Sequence, residues 1–304
     1  MIVTDPRAFI EAMAMHSFAP DRAATARAAF LVSPAEFSLA TESASDNLYM
    51  NLQDAPDPLR ALAEHGELAR KLAEDVPVIS FPGDPAAPDG VFPNNAFATC
   101  PGRLIVGSMR HPVRRRETER ADIRAWFGDL LGREIVDLSG ADLTAELTGS
   151  LVIDRARGIG YCGLSERCDL AGARAMHDAF DLRLTFCFEL AAGEYHTNVV
   201  LAILAGRAAL IAESGFADPA AARAIATIYA GQVLWLQPGQ KQAFAANAIC
   251  LRPERVWMSA VAESALSASE RQALKAWGFS IGAVGIGELE KAGGSLRCCV
   301  AEIF

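Results

Sequence analysis

The chain has 304 residues, 51% of them hydrophobic and 21% charged, with a formal net charge of −9 at pH 7. That composition supports a large buried core, and the acidic balance argues against nucleic acid, whose phosphates call for a basic surface. No stretch reaches the roughly 18 uncharged apolar residues that span a bilayer. The opening MIVTDPRAFIEAMAMHSF carries acids early instead of a secretory signal's basic-then-apolar layout, so a cytoplasmic protein is expected.

Residues 1–27, rich in Ala, read as an N-terminal helical extension, and 28–304 as one domain with no Gly/Ser linker to divide it. Short apolar runs of β type follow at 28–33, 76–81, 103–109, 149–154, 158–164 and 183–190, then at 208–213, 231–236, 255–260 and 279–286. Helical periodicity fills many of the gaps, at 58–73, 117–131, 169–180, 218–229 and 262–277. Within the last of these, Ser267 and Glu270 have capping-box spacing and Gly278 fits a helix end. Strands alternating with helices indicate an α/β fold.

The dinucleotide fingerprint GxGxxG and the P-loop GxxxxGK are both missing, which removes the commonest nucleotide sites. Seven cysteines are expected reduced in the cytoplasm; none forms a C-x-x-C pair and no histidine cluster has zinc spacing. No metal or organic cofactor is expected. Cys187 and Cys250 sit in apolar runs and read as small core residues.

Several polar positions stand out along the chain. Asp89, Asn94 and Asn95 flank the apolar pair of PDGVFPNN, where turn chemistry alone would explain them. Glu146 precedes a Thr-Gly-Ser turn that opens a strand, Arg167 lies between a strand end and a helix start, and Asp169 fits the N-cap of that helix. Of the five histidines, His196 opens an apolar strand, and Asn198 two residues on would share its face. The chain closes on GGSLRCCVAEIF, in which Arg297 adjoins Cys298. Such a pair on a final strand would point Cys298 and Cys299 to opposite sides. Read locally, a buried strand cysteine and a nucleophile are both open.

In order along the chain, PDGVFPNN, MRHPVRRRETER, ELTGSLVID, GLSERCD, YHTN and GGSLRC resemble the guanidino- and ureido-modifying penteins, over about residue 30 to the end. They look most like the bacterial citrulline-utilization hydrolase, or amidinotransferase-like, branch. The resemblance implies a five-bladed α/β propeller of ββαβ modules around a central active-site cavity. It implies Cys298 as nucleophile, His196 as acid/base and Glu146 as the carboxylate orienting the substrate's nitrogen end. Arg167 would grip the substrate α-carboxylate, with Arg115 and less securely Arg114 as a second basic contact, and Asp89 would lie near the amino-acid end. Asn94, Asn95 and Asn198 complete the substrate-binding set.

Asn95 stands where deiminases and dimethylarginine hydrolases carry an aspartate for the guanidinium. An amide has a donor and an acceptor but no charge, which suits a neutral ureido group. The implied activity is therefore hydrolysis of a C–N bond in an arginine-related amino acid, with citrulline giving ornithine, carbon dioxide and ammonia. An arginine dihydrolase or deiminase, an amidinotransferase sharing the intermediate, and a catalytically silent ligand-binding pentein are the alternatives. The partner is a small-molecule amino acid, and a homo-oligomer is compatible with the sequence. Asp46, Tyr49, Ala96, Leu147 and Cys299 depart from the family's usual residues.

Overall fold

Tight turns fold neighbouring strands into antiparallel pairs. Gly102, at φ 78°, joins Phe97–Cys100 to Arg103–Val106, and Gly206, at φ 67°, joins Leu201–Leu204 to Ala208–Ile211. Both glycines occupy the left-handed region that side chains avoid. A longer connection with helical segments then returns a third strand parallel to the second, as Glu134–Asp137 returns to Arg103–Val106.

The computed structural model describes residues 1–35 and 37–304 and contains five separate sheets built on this pattern. Four hold, in order, Phe97–Cys100 with Arg103–Val106 and Glu134–Asp137; Leu151–Asp154 with Ile159–Leu164 and Leu184–Glu189; Leu201–Leu204 with Ala208–Ile211 and Val233–Trp235; and Ile249–Arg252 with Arg255–Ser259 and Ser280–Val284. The fifth is assembled from both ends of the sequence, because Ala301–Ile303 pairs antiparallel with Ala28–Val32, which pairs parallel with Val78–Phe81.

Residues 1–27 do more than form a helix. Ile2–Val3 adds a parallel edge strand to Leu184–Glu189, and helix Pro6–Met15 buries Phe9, whose ring stacks on Phe186 at 4.7 Å. Three helices start at an Asp-Pro pair in which the aspartate caps the first amides and proline takes the first turn: Asp5, Asp57 and Asp218. Asp169 caps Leu170–Ala179 as expected.

The 262–277 periodicity covers two helices, Ala260–Ala265 and Ala268–Ala276, because Ser267 is extended and forms the predicted capping box with Glu270. Two strands, Phe97–Cys100 and Glu134–Asp137, carry little sequence signal, since each has only four residues and the second is largely exposed. All seven cysteines are buried and free of disulfides. Among the described residues no helix is long and apolar enough to cross a membrane, and no group of His, Cys, Asp and Glu is arranged to hold a metal ion.

Candidate active site

In every sheet the strand that begins the antiparallel pair, or for the fifth sheet the terminal strand, lies at the sheet's edge. Leu201–Leu204 packs beside both Leu151–Asp154 and Ile249–Arg252, and Ala301–Ile303 beside Phe97–Cys100. The segments entering these strands carry the polar residues: Asn95 before Phe97, Glu146 before Leu151, His196 and Asn198 before Leu201, Asn247 before Ile249, and Cys298 before Ala301. Repetition of one local motif thus delivers a side chain from each sheet.

Glu146 is the centre of one cluster. Its Oε2 accepts from His196 Nε2 at 2.9 Å, Arg114 Nη1 at 3.1 Å and Arg167 Nη1 at 3.1 Å, and Oε1 accepts from the Arg110 amide at 3.3 Å. It is fully buried. Burial pushes its carboxyl up, but Arg167 and Arg114, with His196, overbalance this and hold it well below the usual carboxylate range. An ionised Glu146 fixes the Nε2–H tautomer of His196. His196 Nδ1 is buried without a partner. Burial lowers the His196 pKa against the pull of Glu146, and Arg167 and Arg114 lower it further, so the resting imidazole is neutral near pH 7.

Cys298 belongs to a second cluster. Its Sγ receives Asn247 Nδ2 at 3.2 Å and Asn198 Nδ2 at 3.6 Å, while its amide donates to Asn247 Oδ1 at 3.3 Å. Asn198 Nδ2 also reaches Thr148 O, and Thr148 Oγ1 donates to Asn94 O, which ties this cluster to the loop of Asn95. Cys298 is 1% exposed and lines a small cavity together with Ser43, Asp89, Asn95, Arg114, Arg167 and Tyr195.

Asn95 directs its amide oxygen to Arg114, 3.2 Å from both Nη1 and Nη2, and its amide nitrogen to Asn94 Oδ1 at 3.0 Å, the orientation that satisfies both partners. Gly149 permits this crowding: a Cβ there would lie 2.7 Å from His196 Nδ1 and also meet Asn95. Asp89 accepts from Ser43 Oγ at 2.6 Å through Oδ2, and its Oδ1 is buried with no partner. Leu147, beside Glu146, has φ 21°, at the margin of the left-handed region where a glycine would be unstrained.

Some expectations change. Arg115 is exposed, with Nε on Met109 O at 3.1 Å, whereas Arg114 lines the cavity; adjacent residues of helix Pro112–Thr118 point about 100° apart, and the nearer arginine is the one before. Glu146 does not line the cavity, and its oxygens are occupied by His196 and the arginines. Asn94 stands behind Asn95, also outside the lining. His196 and Asn198 do not share a strand face, because Thr197–Val199 is a 3₁₀ turn; the turn nevertheless brings Asn198 to Cys298. Cys298 and Cys299 precede the last strand, in turns closed by amide bonds to Ser295 O. Cys299 faces the core, where burial pushes its thiol up, and Arg297 is turned to Val300 O and Glu302.

Four contributors were not assigned to the site from the sequence, although Asp46 stood out as a departure from the family's usual residue. Asn247 is one asparagine in an Ala-rich loop, Asp46 and Ser43 lie in an irregular segment, and Glu117 reads as part of a charged run. Glu117 pairs bidentately with Arg114 at 2.8 Å and 2.8 Å. Asp46 pairs bidentately with Arg167 at 2.8 Å and 2.6 Å.

Five ββαβ sheets with a buried cysteine, histidine and glutamate at the entries to their edge strands define the pentein class of guanidino-modifying enzymes. The family described as N,N dimethylarginine dimethylhydrolase, eukaryotic, matches residues 33–304, and the chain belongs to that family. No curated protein sequence matches the chain.

The fold is similar to that of the N-terminal domain of ArgZ, an arginine dihydrolase from the ornithine-ammonia cycle in cyanobacteria, crystallised as a mutant bound to substrate. The TM-score is 0.80 at 20% identity, covering 91% of this chain and 97% of that domain. Against the apo structure of the longer ArgZ chain the TM-score is again 0.80 at 20% identity, covering 91% of this chain and 40% of that one. A dimethylarginine dimethylaminohydrolase, solved as an adduct with 4-chloro-2-hydroxymethylpyridine, gives 0.70 at 22% identity, covering 91% of this chain and 100% of the other.

Proposed function

We propose that this chain is a cysteine-dependent hydrolase of a C–N bond in a terminal ureido or guanidino group, working in the central cavity of a five-bladed propeller. The observation that carries this reading is the setting of His196: it is tied through Nε2 to Glu146, and its unpartnered Nδ1 lies at Gly149 beside Asn95, a residue of the cavity wall that Cys298 also lines. An imidazole so held can take a proton at Nδ1 and give it back.

The Cys298 thiol passes its proton to His196, and Sγ forms a bond to the ureido or guanidino carbon. The C–N bond breaks as the departing nitrogen takes that proton from His196: a ureido substrate loses its alkylamine and leaves an S-carbamoyl cysteine, and a guanidino substrate loses ammonia and leaves an S-alkylthiouronium cysteine. Water then gives a proton to His196 as its oxygen bonds to the carbon, and the C–S bond breaks to restore the thiol. With a ureido substrate, the carbamic acid released falls apart to carbon dioxide and ammonia. Asn247 and Asn198 direct amide N–H groups at the sulfur, which stabilises charge there during attack.

Asn95 supports the ureido head group. With its oxygen committed to Arg114 and one N–H to Asn94, it retains a donor and no charge. Citrulline and arginine are the amino-acid members of the two head-group classes. The arginine dihydrolase reading is favoured by the likeness to ArgZ over 91% of this chain. Ammonia release from citrulline and from arginine, by the native chain and by Cys298→Ser, tests the proposal. Turnover lost in the serine variant is expected, and full turnover by that variant overturns the role of Cys298.

A further inference from the structure

The cavity presents two buried guanidiniums, and every nitrogen of both is already bonded within the chain. Arg167 gives Nε and Nη2 to Asp46, Nη2 also to Ser43 O at 3.0 Å, and Nη1 to Glu146. Arg114 gives Nε and Nη2 to Glu117, and Nη1 to Glu146 and the Asn95 oxygen. Asp46 takes the fork of Arg167 in the bidentate geometry that a free carboxylate would use. A substrate α-carboxylate arriving at Arg167 finds its position filled.

Asp46 is held from several sides. His111 Nε2 lies 3.1 Å from both of its oxygens, and Arg110 Nε 3.4 Å from Oδ2. The surroundings also discourage a second anion. Asp46, Glu146 and Glu117 already pair with Arg167 and Arg114 within the cluster, and at the rim Arg110 pairs with Glu166.

What the lining leaves open is an acceptor. Asp89 Oδ1 is buried and unpartnered on the cavity wall. Burial pushes the Asp89 carboxyl up, Arg114 at 3.7 Å from Oδ2 and Ser43 offset this only in part, and Oδ1 has no counter-ion of its own. An ammonium would supply that counter-ion, and Phe92 and Tyr195 on the same lining offer ring surface to an alkyl chain.

We infer that Asp46, by filling the carboxylate position on Arg167, determines specificity at the substrate's tail: the chain acts on ureido- or guanidino-alkylamines that lack a carboxylate, with the ammonium on Asp89. The inference rests on the hydrolase reading above and sharpens its substrate class.

The test compares kcat/KM for two matched pairs, N-carbamoylputrescine against citrulline and agmatine against arginine, in the native chain and in Asp46→Asn. Like charges brought into contact in such a site repel, so the native chain should favour the carboxylate-free member of its preferred pair by on the order of 100-fold. Asp46→Asn should shrink that ratio at least tenfold by raising turnover of the amino acid. A native preference for the amino acid, or a ratio unmoved by the substitution, overturns the inference. Calorimetric binding of the same four compounds to Cys298→Ala separates the two proposals. Absence of turnover alongside tighter amine binding defeats the hydrolase reading while upholding the tail selection. Tighter amino-acid binding defeats the tail selection alone.

Discussion

Glu146 Oε2 accepts the Nε2–H of His196 at 2.9 Å inside a cluster where Arg114 and Arg167 contact the same oxygen. One carboxylate therefore orients the imidazole and bridges two buried guanidiniums, which Glu117 and Asp46 also pair. Glu146→Gln keeps the shape, removes the charge and presents the wrong partner to the tautomer. A kcat loss of about 1000-fold is expected. Stability should fall by about 3 kcal/mol, because Arg114 and Arg167 each lose a buried charge-assisted bond. Steady-state kinetics and urea unfolding check the two parts, and a variant active at the native rate would remove Glu146 from the mechanism.

The same environment sets a pH dependence. Burial holds His196 below its ordinary range in spite of Glu146, and the proposed chemistry starts from the neutral ring. The neutral form persists above the folded-state pKa, so the acid limb of kcat/KM should fall below the ordinary histidine value of about 6.5. A limb centred at or above that value contradicts the assignment.

Asn95→Asp puts a charge beside Arg114 and deletes the N–H that Asn94 accepts. A guanidinium gains a counter-ion and a ureido oxygen loses a donor. The ratio of kcat/KM for guanidino over ureido compounds should rise at least about tenfold, equivalent to roughly 1.4 kcal/mol. An unchanged ratio would show that Asn95 does not read the head group.

Gly149→Ala tests the close approach of three segments. The added methyl would sit 2.7 Å from His196 Nδ1 and press on Asn95, both buried and bonded to neighbours that cannot easily give way. Overpacking of this kind costs about 1–3 kcal/mol. Activity should fall further than stability, since the atoms displaced are those of the site. Melting and kinetics on the same sample decide it.

His65 lies on helix Pro58–Leu72, 4% exposed, with Nε2 unpartnered, and burial lowers its pKa to about 4. Because the folded value lies below the unfolded one, the unfolded chain binds the proton first as pH falls. Stability attributable to this residue is whole above pH ~6.5 and is lost progressively down to pH ~4, by about 3 kcal/mol. His65→Leu should flatten that part of the pH–stability curve in urea titrations. A variant curve parallel to the native one would refute this.

The legible parts of the fold were those written locally. Apolar runs bounded by turn residues marked strands such as Ile159–Leu164 and Leu184–Glu189, and the Ser267 capping box marked a helix start. Taken locally, Cys298, His196 and Asn198 were open to a packing reading, and the resemblance of six ordered segments singled them out; the structure ties His196 to Glu146 and Cys298 to Asn198 and Asn247. The choice between Arg114 and Arg115 was not legible, since either register of a charged helix satisfies the pattern and only packing against Glu117 and Glu146 selects Arg114.

By itself the sequence determined the α/β alternation and the caps and turns, because each of these depends on neighbours within a few residues, and only its resemblance to a family marked side chains with the chemistry to act. The tertiary structure alone decided how those groups are used. Glu146 became a partner of His196, Asn247 arrived at Cys298 from 51 residues away, and Asp46 reached Arg167 across 121 residues. Bonds over such separations follow from the arrangement of five sheets, which no local spacing encodes.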